Sequence, residues 1–96
     1  MTKNEIVDFL RKKKPLLKEQ FGVSKLGLFG SYAAGKATVS SDIDIAVEIK
    51  GEHKFRKFFG LKRFLEQEFH KKIDLGTEST LKPMFRQSIK KTIIYV

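Results

Sequence analysis

This chain of 96 residues has no cysteine, which rules out disulfides, thiolate metal centres and a thiol nucleophile. It has no apolar run long enough to span a bilayer, and its first residues hold no apolar stretch of signal-peptide length. The expectation is therefore a cytoplasmic protein with no membrane partner. Histidine is scarce. His53 and His70 are far apart, each beside a lysine, and fall into no metal-ligand or triad spacing, so surface positions at helix ends are their plain reading. Repeats and low-complexity segments are absent. Acidic residues are few, 11 against 20 Lys and Arg, for a net charge of +9 and a pI near 9.9. Positive potential concentrates anionic ligands such as nucleotides, and it also suits nucleic acid, a possible but not the favoured partner. The basic residues are spread along the chain, so a solubilising surface accounts for them equally well. A hydrophobic content of 41% fits one small domain over residues 1–96, with a core modest enough for stability to lean on a partner.

The most informative stretch runs from Leu26 to Ile49. A short apolar run, Leu26 to Phe29, enters a Gly30-Ser31 turn; ten residues later comes Asp42-Ile43-Asp44. From Asp42 onward the pattern has a period of two. Asp42, Asp44, Ala46 and Glu48 lie on one side, and Ile43, Ile45, Val47 and Ile49 on the other, which reads as a strand with one polar and one apolar face. Residues i and i+2 of a strand point the same way, about 7 Å apart, so the two aspartates project together. Carboxylates held that close repel unless a cation lies between them, and oxygen ligands of this kind suit magnesium. Asp42 alone, beside Ser41, reads equally well as a turn cap. Asp44 does not, because Asp is poorly suited to a strand interior. Glu48 shares that face further along and reads as a surface or supporting group. Gly30 allows close approach of a ligand to the backbone, and Ser31 is a suitable N-cap for a short helix from Tyr32 to Ala34, whose free N–H groups favour a phosphate. No histidine base accompanies Ser31, so a covalent serine mechanism is not indicated.

The rest of the chain supplies a scaffold. Thr2-Lys3-Asn4-Glu5 has the capping-box form, followed by an apolar stripe of Ile6, Val7, Phe9 and Leu10. Pro15 is expected to end or kink this helix, with a further turn or two before Gly22 stops it. The basic run Arg11 to Lys14 could touch RNA or phosphate, but a cationic helix end is the simpler reading. A first strand is predicted near Lys25–Phe29, the acid-bearing strand near Asp42–Glu48, and a loop over Gly35–Ser41 whose final hydroxyls, Ser40 and Ser41, can position the acids or satisfy local backbone. A helix over roughly His53–His70 has Phe55, Phe58, Phe59, Leu61, Phe64, Leu65 and Phe69 at near-helical spacing. These aromatics share a face from which Lys57, Lys62 and Arg63 are largely absent, so core packing or a protein interface explains them better than base stacking. Gly60 weakens the case for one straight helix. A brief strand around Asp74 follows, then a polar loop, a helix over Leu81–Lys91 with Pro83 in its first turn, and a β-branched strand over Thr92–Val96.

Gly30-Ser31, the ten-residue interval, Asp42-x-Asp44 and a later Asp74 between Ile73 and Leu75 together resemble the signature of the polymerase-beta-type nucleotidyltransferases, in particular the minimal nucleotidyltransferases. The resemblance covers nearly the whole chain. It implies an α/β (α+β) palm fold, a small mixed β-sheet with helices packed on one face. It further implies magnesium, as two ions held by Asp42, Asp44 and Asp74, with ATP as substrate and Asp74 helping to take the proton of the attacking hydroxyl. Gly30 and Ser31 would hold the β- and γ-phosphates, assisted by Lys36 and Ser41. Minimal members often carry a basic residue directly after the Gly-Ser pair and another before the next glycine. Tyr32 and Ala34 occupy those positions here, which implies a cation recruited from elsewhere, Lys36 being the expected source, or weaker nucleotide binding. A chain this short has no domain left to recognise a large acceptor. The resemblance therefore implies a helical HEPN-type toxin as partner, with one of its tyrosines as the AMP acceptor and this chain as antitoxin. A non-catalytic module that masks such a partner, and an RNA-binding or RNA-tailing protein, are the alternatives.

Overall fold

Thr2 starts the first helix by the reciprocal capping that its sequence predicts. In the computed structural model, which describes residues 1–77 and 92–96, Glu5 N–H donates to Thr2 Oγ1 (3.2 Å) and Thr2 N–H donates to Glu5 Oε1 (3.0 Å). Helix α1 then runs Lys3–Phe21 without a break. Pro15 neither ends it nor splits it. The proline is exposed, so the Arg11 carbonyl left without its N–H partner is on the water side, while Leu17, two residues further on, is fully buried. Gly22 closes the helix at φ 67°, donating its N–H to Leu17 and Lys18 carbonyls, and its own carbonyl accepts from Lys50 N–H at 2.8 Å. That bond ties the corner after α1 to the far end of the acid-bearing strand.

Strand β1 (Val23–Phe29), the short helix α2 (Gly30–Ala33), strand β2 (Ile43–Ile49), helix α3 (Lys54–Phe69), strand β3 (Ile73–Thr77) and strand β4 (Ile94–Tyr95) follow in order. The described strands form one mixed sheet in the order β3-β2-β1-β4. β1 pairs antiparallel with both β2 and β4, whereas β2 and β3, joined through α3, run parallel. A helical crossover between neighbouring strands is what makes that parallel pairing possible. The fold is the expected α/β architecture. Ile43, Ile45, Val47 and Ile49 face α1 and α3 in one core with Leu26, Leu28, Ile6, Leu10, Leu17, Leu61, Leu65 and Ile73. On the opposite face of the sheet, among the described residues, Phe29 and Ala46 pack against Ile93.

The helix predicted over roughly His53–His70 is observed as α3. The helix is continuous through Gly60, where a Cβ would meet the Phe21 ring at 3.3 Å, so the glycine leaves room for Phe21, whose ring packs onto Phe64 with centroids 5.7 Å apart. The aromatic stripe also divides. Leu61, Leu65 and Phe69 are buried, whereas Phe55 is 78% and Phe59 45% exposed, because the core-facing arc of α3 is narrower than its apolar arc. His53 and His70 flank α3 as exposed residues at φ 58° and 52°. The predicted Leu81–Lys91 helix lies outside the described residues. Of the predicted Thr92–Val96 strand, Ile94 and Tyr95 pair with Leu28 and Gly27.

Candidate active site

The carboxylates are brought together by strand register. In the parallel pairing of β2 and β3, Asp44 is opposite Asp74, with Ile43 opposite Ile73 and Ile45 opposite Leu75. The apolar neighbours of both acids are drawn into the core, so both carboxyls are left on the other face. Asp44 is half-buried and Asp74 is exposed. Burial, the charge of Asp74, a hydrogen bond with that same carboxyl and the charge of Asp42 together push Asp44 up to about 6. Asp42 lies one residue before β2, half-buried, and acts on Asp44 through space.

Gly30 fits against this pair. It has φ +75°, and a Cβ on it would fall on the Asp44 carboxylate. The close approach that this glycine permits is thus to an acid of the site, which β1 pairing brings alongside because Phe29 is opposite Asp44. α2 begins at Gly30, with Phe29 preceding it as an extended residue, so Ser31 is inside the helix and not its N-cap. Phe29 continues the strand in an extended conformation, and Gly30, at φ +75°, turns the chain into α2. The Ser31 carbonyl accepts from Lys36 N–H at 2.9 Å, which folds the following turn back over α2.

Ser41 serves the loop. Its Oγ accepts from Thr38 N–H at 2.8 Å while its own N–H donates to the Thr38 carbonyl at 3.0 Å, closing a tight turn immediately before Asp42. Lys36 is exposed on the same loop. Lys71 and Lys72 lie just before Asp74 in the chain. Among the described residues neither forms an ion pair with it. Instead Lys72 gives its carbonyl to Ile43 N–H (3.1 Å), clipping the starts of β2 and β3 together, and Lys71 Nζ donates to the Val39 carbonyl (3.1 Å). Lys71 Nζ also lies 5.9 Å from the centroid of the buried Tyr32 ring. No sequence pattern singles out this lysine, since its contacts come from α2 and the loop after it, more than 30 residues upstream.

The residues fit a hard dication. Asp42, Asp44 and Asp74 offer only oxygen donors, and the mutual repulsion that raises Asp44 is what a bound cation would relieve. Asp44 and Asp74 make the pair; among the described residues, no three acidic or imidazole groups are already gathered as a cage.

A family model described as nucleotidyltransferase domain matches residues 10–96. The chain belongs to the nucleotidyltransferase family. It is 42% identical to the Methanocaldococcus jannaschii protein MJ0128, provisionally named a protein adenylyltransferase, over 99% of this chain and 98% of that one. It is 35% identical to the protein adenylyltransferase MntA of Thermococcus cleftensis, over 100% of this chain and 97% of the relative. Among solved structures, one described as a minimal nucleotidyltransferase superposes with a TM-score of 0.79 at 26% identity, covering 98% of this chain and 95% of the other. A chain from a complex of tri-AMPylated Shewanella oneidensis HEPN toxin with MNT antitoxin superposes at 0.58 and 22% identity, covering 97% and 66%, and shares the fold. This nucleotidyltransferase is thus an enzyme of the minimal type, and its palm fold matches that of toxin–antitoxin relatives.

Proposed function

We propose that this nucleotidyltransferase transfers AMP from ATP, with magnesium, to a hydroxyl acceptor, a tyrosine of a HEPN-type helical toxin, and so acts as a cytoplasmic antitoxin. The observation that carries the reading is the Asp44–Asp74 carboxyl pair, set in register by β2 and β3 and held against Gly30. Relatives named protein adenylyltransferase, and a structural neighbour in complex with an AMPylated HEPN toxin, support the choice of nucleotide and acceptor.

In this mechanism Asp42, Asp44 and Asp74 would hold magnesium, two ions as the family resemblance implies, which when bound would supply neutralisation of phosphate charge and a lowered pKa for the acceptor hydroxyl. Gly30 and Ser31, with Lys36 on the adjoining loop, hold the β- and γ-phosphates. Ser41 acts by closing the turn that presents Asp42. The acceptor oxygen forms a bond to the α-phosphorus as the bond to the bridging oxygen breaks, pyrophosphate leaves, and Asp74 takes the hydroxyl proton. Asp74 suits that role because it is the exposed member of the pair.

A second reading is favoured by a different observation. Phe55 and Phe59 form an exposed apolar patch on α3, with rings 4.8 Å apart, and such a surface suits a module that neutralises a partner by masking it. Calorimetric titration of ATP with and without magnesium, on wild type and on Asp42→Asn/Asp44→Asn, separates the two. Magnesium-dependent binding that disappears in the variant is expected; no binding to either protein would leave masking as the function.

A further inference from the structure

The N-terminal part of α3 combines two features that packing of the core does not explain. The first is apolar. Leu61, Leu65 and Phe69 meet the core, yet Phe55 and Phe59 are exposed. One helical turn apart, these two share a face, and their rings lie 4.8 Å from each other. Phe59 also meets the half-buried Phe58 edge-on at 5.3 Å, so the three rings form one apolar surface. It walls a groove of about 320 Å³ that continues onto Ile49 and Thr77 at the ends of β2 and β3, with Lys54 and Glu48 as its charged lining.

The second feature is charge. From Lys54 to Leu65 the helix carries Lys54, Arg56, Lys57, Lys62 and Arg63 and no acid. At 3.6 residues per turn, Arg56 and Arg63 run along one flank of the Phe55–Phe59 ridge and Lys54 lies on the other. Lys57 donates to the Lys50 carbonyl (3.4 Å), but Lys54, Arg56, Lys62 and Arg63 have no carboxylate partner among the described residues. A basic face kept for solubility alone would not hold two large exposed rings at its centre. We infer that this face docks an acidic amphipathic helix of a partner protein, its apolar side chains entering the groove and its carboxylates meeting the cations on both flanks. The inference rests on the reading, common to both functions proposed above, that this chain acts on a protein. Other occupants fit less well. A second copy would set the same cations against these, and single-stranded nucleic acid stacks on separated ring faces, whereas these rings are packed on one another. The groove also lies away from the acids, since Glu48 is four residues beyond Asp44 on β2, roughly 13 Å along the strand. A helix seated there anchors the partner and takes no part in the chemistry.

The test is an NMR titration of the whole chain with a synthetic helical peptide that carries leucines one turn apart flanked by glutamates, and with the same peptide carrying lysines in their place. Saturable shifts confined to the region between Glu48 and Arg63 are expected, with the lysine peptide at least about tenfold weaker. Phe55→Ser/Phe59→Ser and Lys54→Glu/Arg56→Glu should each weaken the acidic peptide about tenfold, while magnesium·ATP titrates as in wild type. No saturable binding, equal affinity for the two peptides, or affinity unchanged in either variant would overturn the inference. So would displacement of the acidic peptide by oligo(U) or by anionic vesicles, or self-association of wild type that the phenylalanine variant abolishes. Absence of ATP binding in wild type, with the acidic peptide still bound and both variants still weakened, would remove the enzymatic reading and support this one.

Discussion

Asp44→Asn should stabilise the ligand-free protein at neutral pH while destroying its activity. Asp44 ionises with difficulty where it is, since burial, Asp74 and Asp42 all disfavour the charge and raise the group from 3.8 to about 6. The sign follows from linkage. An acid whose pKa is higher folded than unfolded binds its proton more tightly in the native state, so stability is full below the unfolded pKa and falls as pH rises through the folded one. Two pKa units correspond to ~3 kcal/mol at full weight, and solvent screening of this half-buried carboxyl reduces that to ~1–2 kcal/mol. Asparagine imitates the protonated acid: it is uncharged, nearly the same shape, and can donate to Asp74. The variant should therefore melt about 5–10 °C above wild type at pH 7, given ~4–8 °C per kcal/mol for a domain of this size. The two should converge below pH 4. Differential scanning calorimetry from pH 3.5 to 7.5 reads both quantities. A variant less stable than wild type at pH 7, or a gap that does not change with pH, would refute the electrostatic account. Magnesium should narrow the gap by stabilising wild type alone, as expected of a ligand that binds only the native acid pair.

Gly30→Ala should cost ~2–3 kcal/mol in urea denaturation and abolish transfer, because the new Cβ meets the Asp44 carboxylate at a φ of +75° that alanine resists; a cost below ~0.5 kcal/mol would show that Asp44 can move aside freely. Leu61→Ala, deleting a side chain with no exposed surface, should cost ~2–5 kcal/mol, whereas Phe55→Ser on the same helix should stay within ~0.5 kcal/mol, and equal costs would contradict the division of the aromatic stripe. His70→Gly should raise the urea midpoint by an amount equivalent to ~0.5–1 kcal/mol, since His70 ends α3 at φ 52°, where a Cβ is strained; a lower midpoint would mean the imidazole makes a compensating contact.

Much of this molecule could be read along the chain. The Thr2–Glu5 capping box, the Gly22 stop and the two-residue alternation from Ile43 to Ile49 are local rules, decided by backbone hydrogen bonding and by which side of a strand can face oil. The same alternation put Asp44 on the polar face, and Ile73 and Leu75 did so for Asp74. Pro15 was misjudged because a proline's effect depends on whether the helix around it is held by a core, which α1 is through Leu10 and Leu17. That Phe55 and Phe59 lie outside the core while Leu61, Leu65 and Phe69 lie in it could not be read from spacing, which gives the apolar arc of a helix and not the width of its contact. Sequence by itself singled out Asp42, Asp44 and Asp74 as candidate acids and most of the elements that hold them. Tertiary structure alone decided that β2 and β3 pair in parallel with Asp44 beside Asp74, that Gly30 abuts the Asp44 carboxylate, and that Lys71 reaches Tyr32 and Val39. Those contacts join residues some 14 to 39 positions apart in the chain, and only packing of the whole sheet against its helices sets such distances.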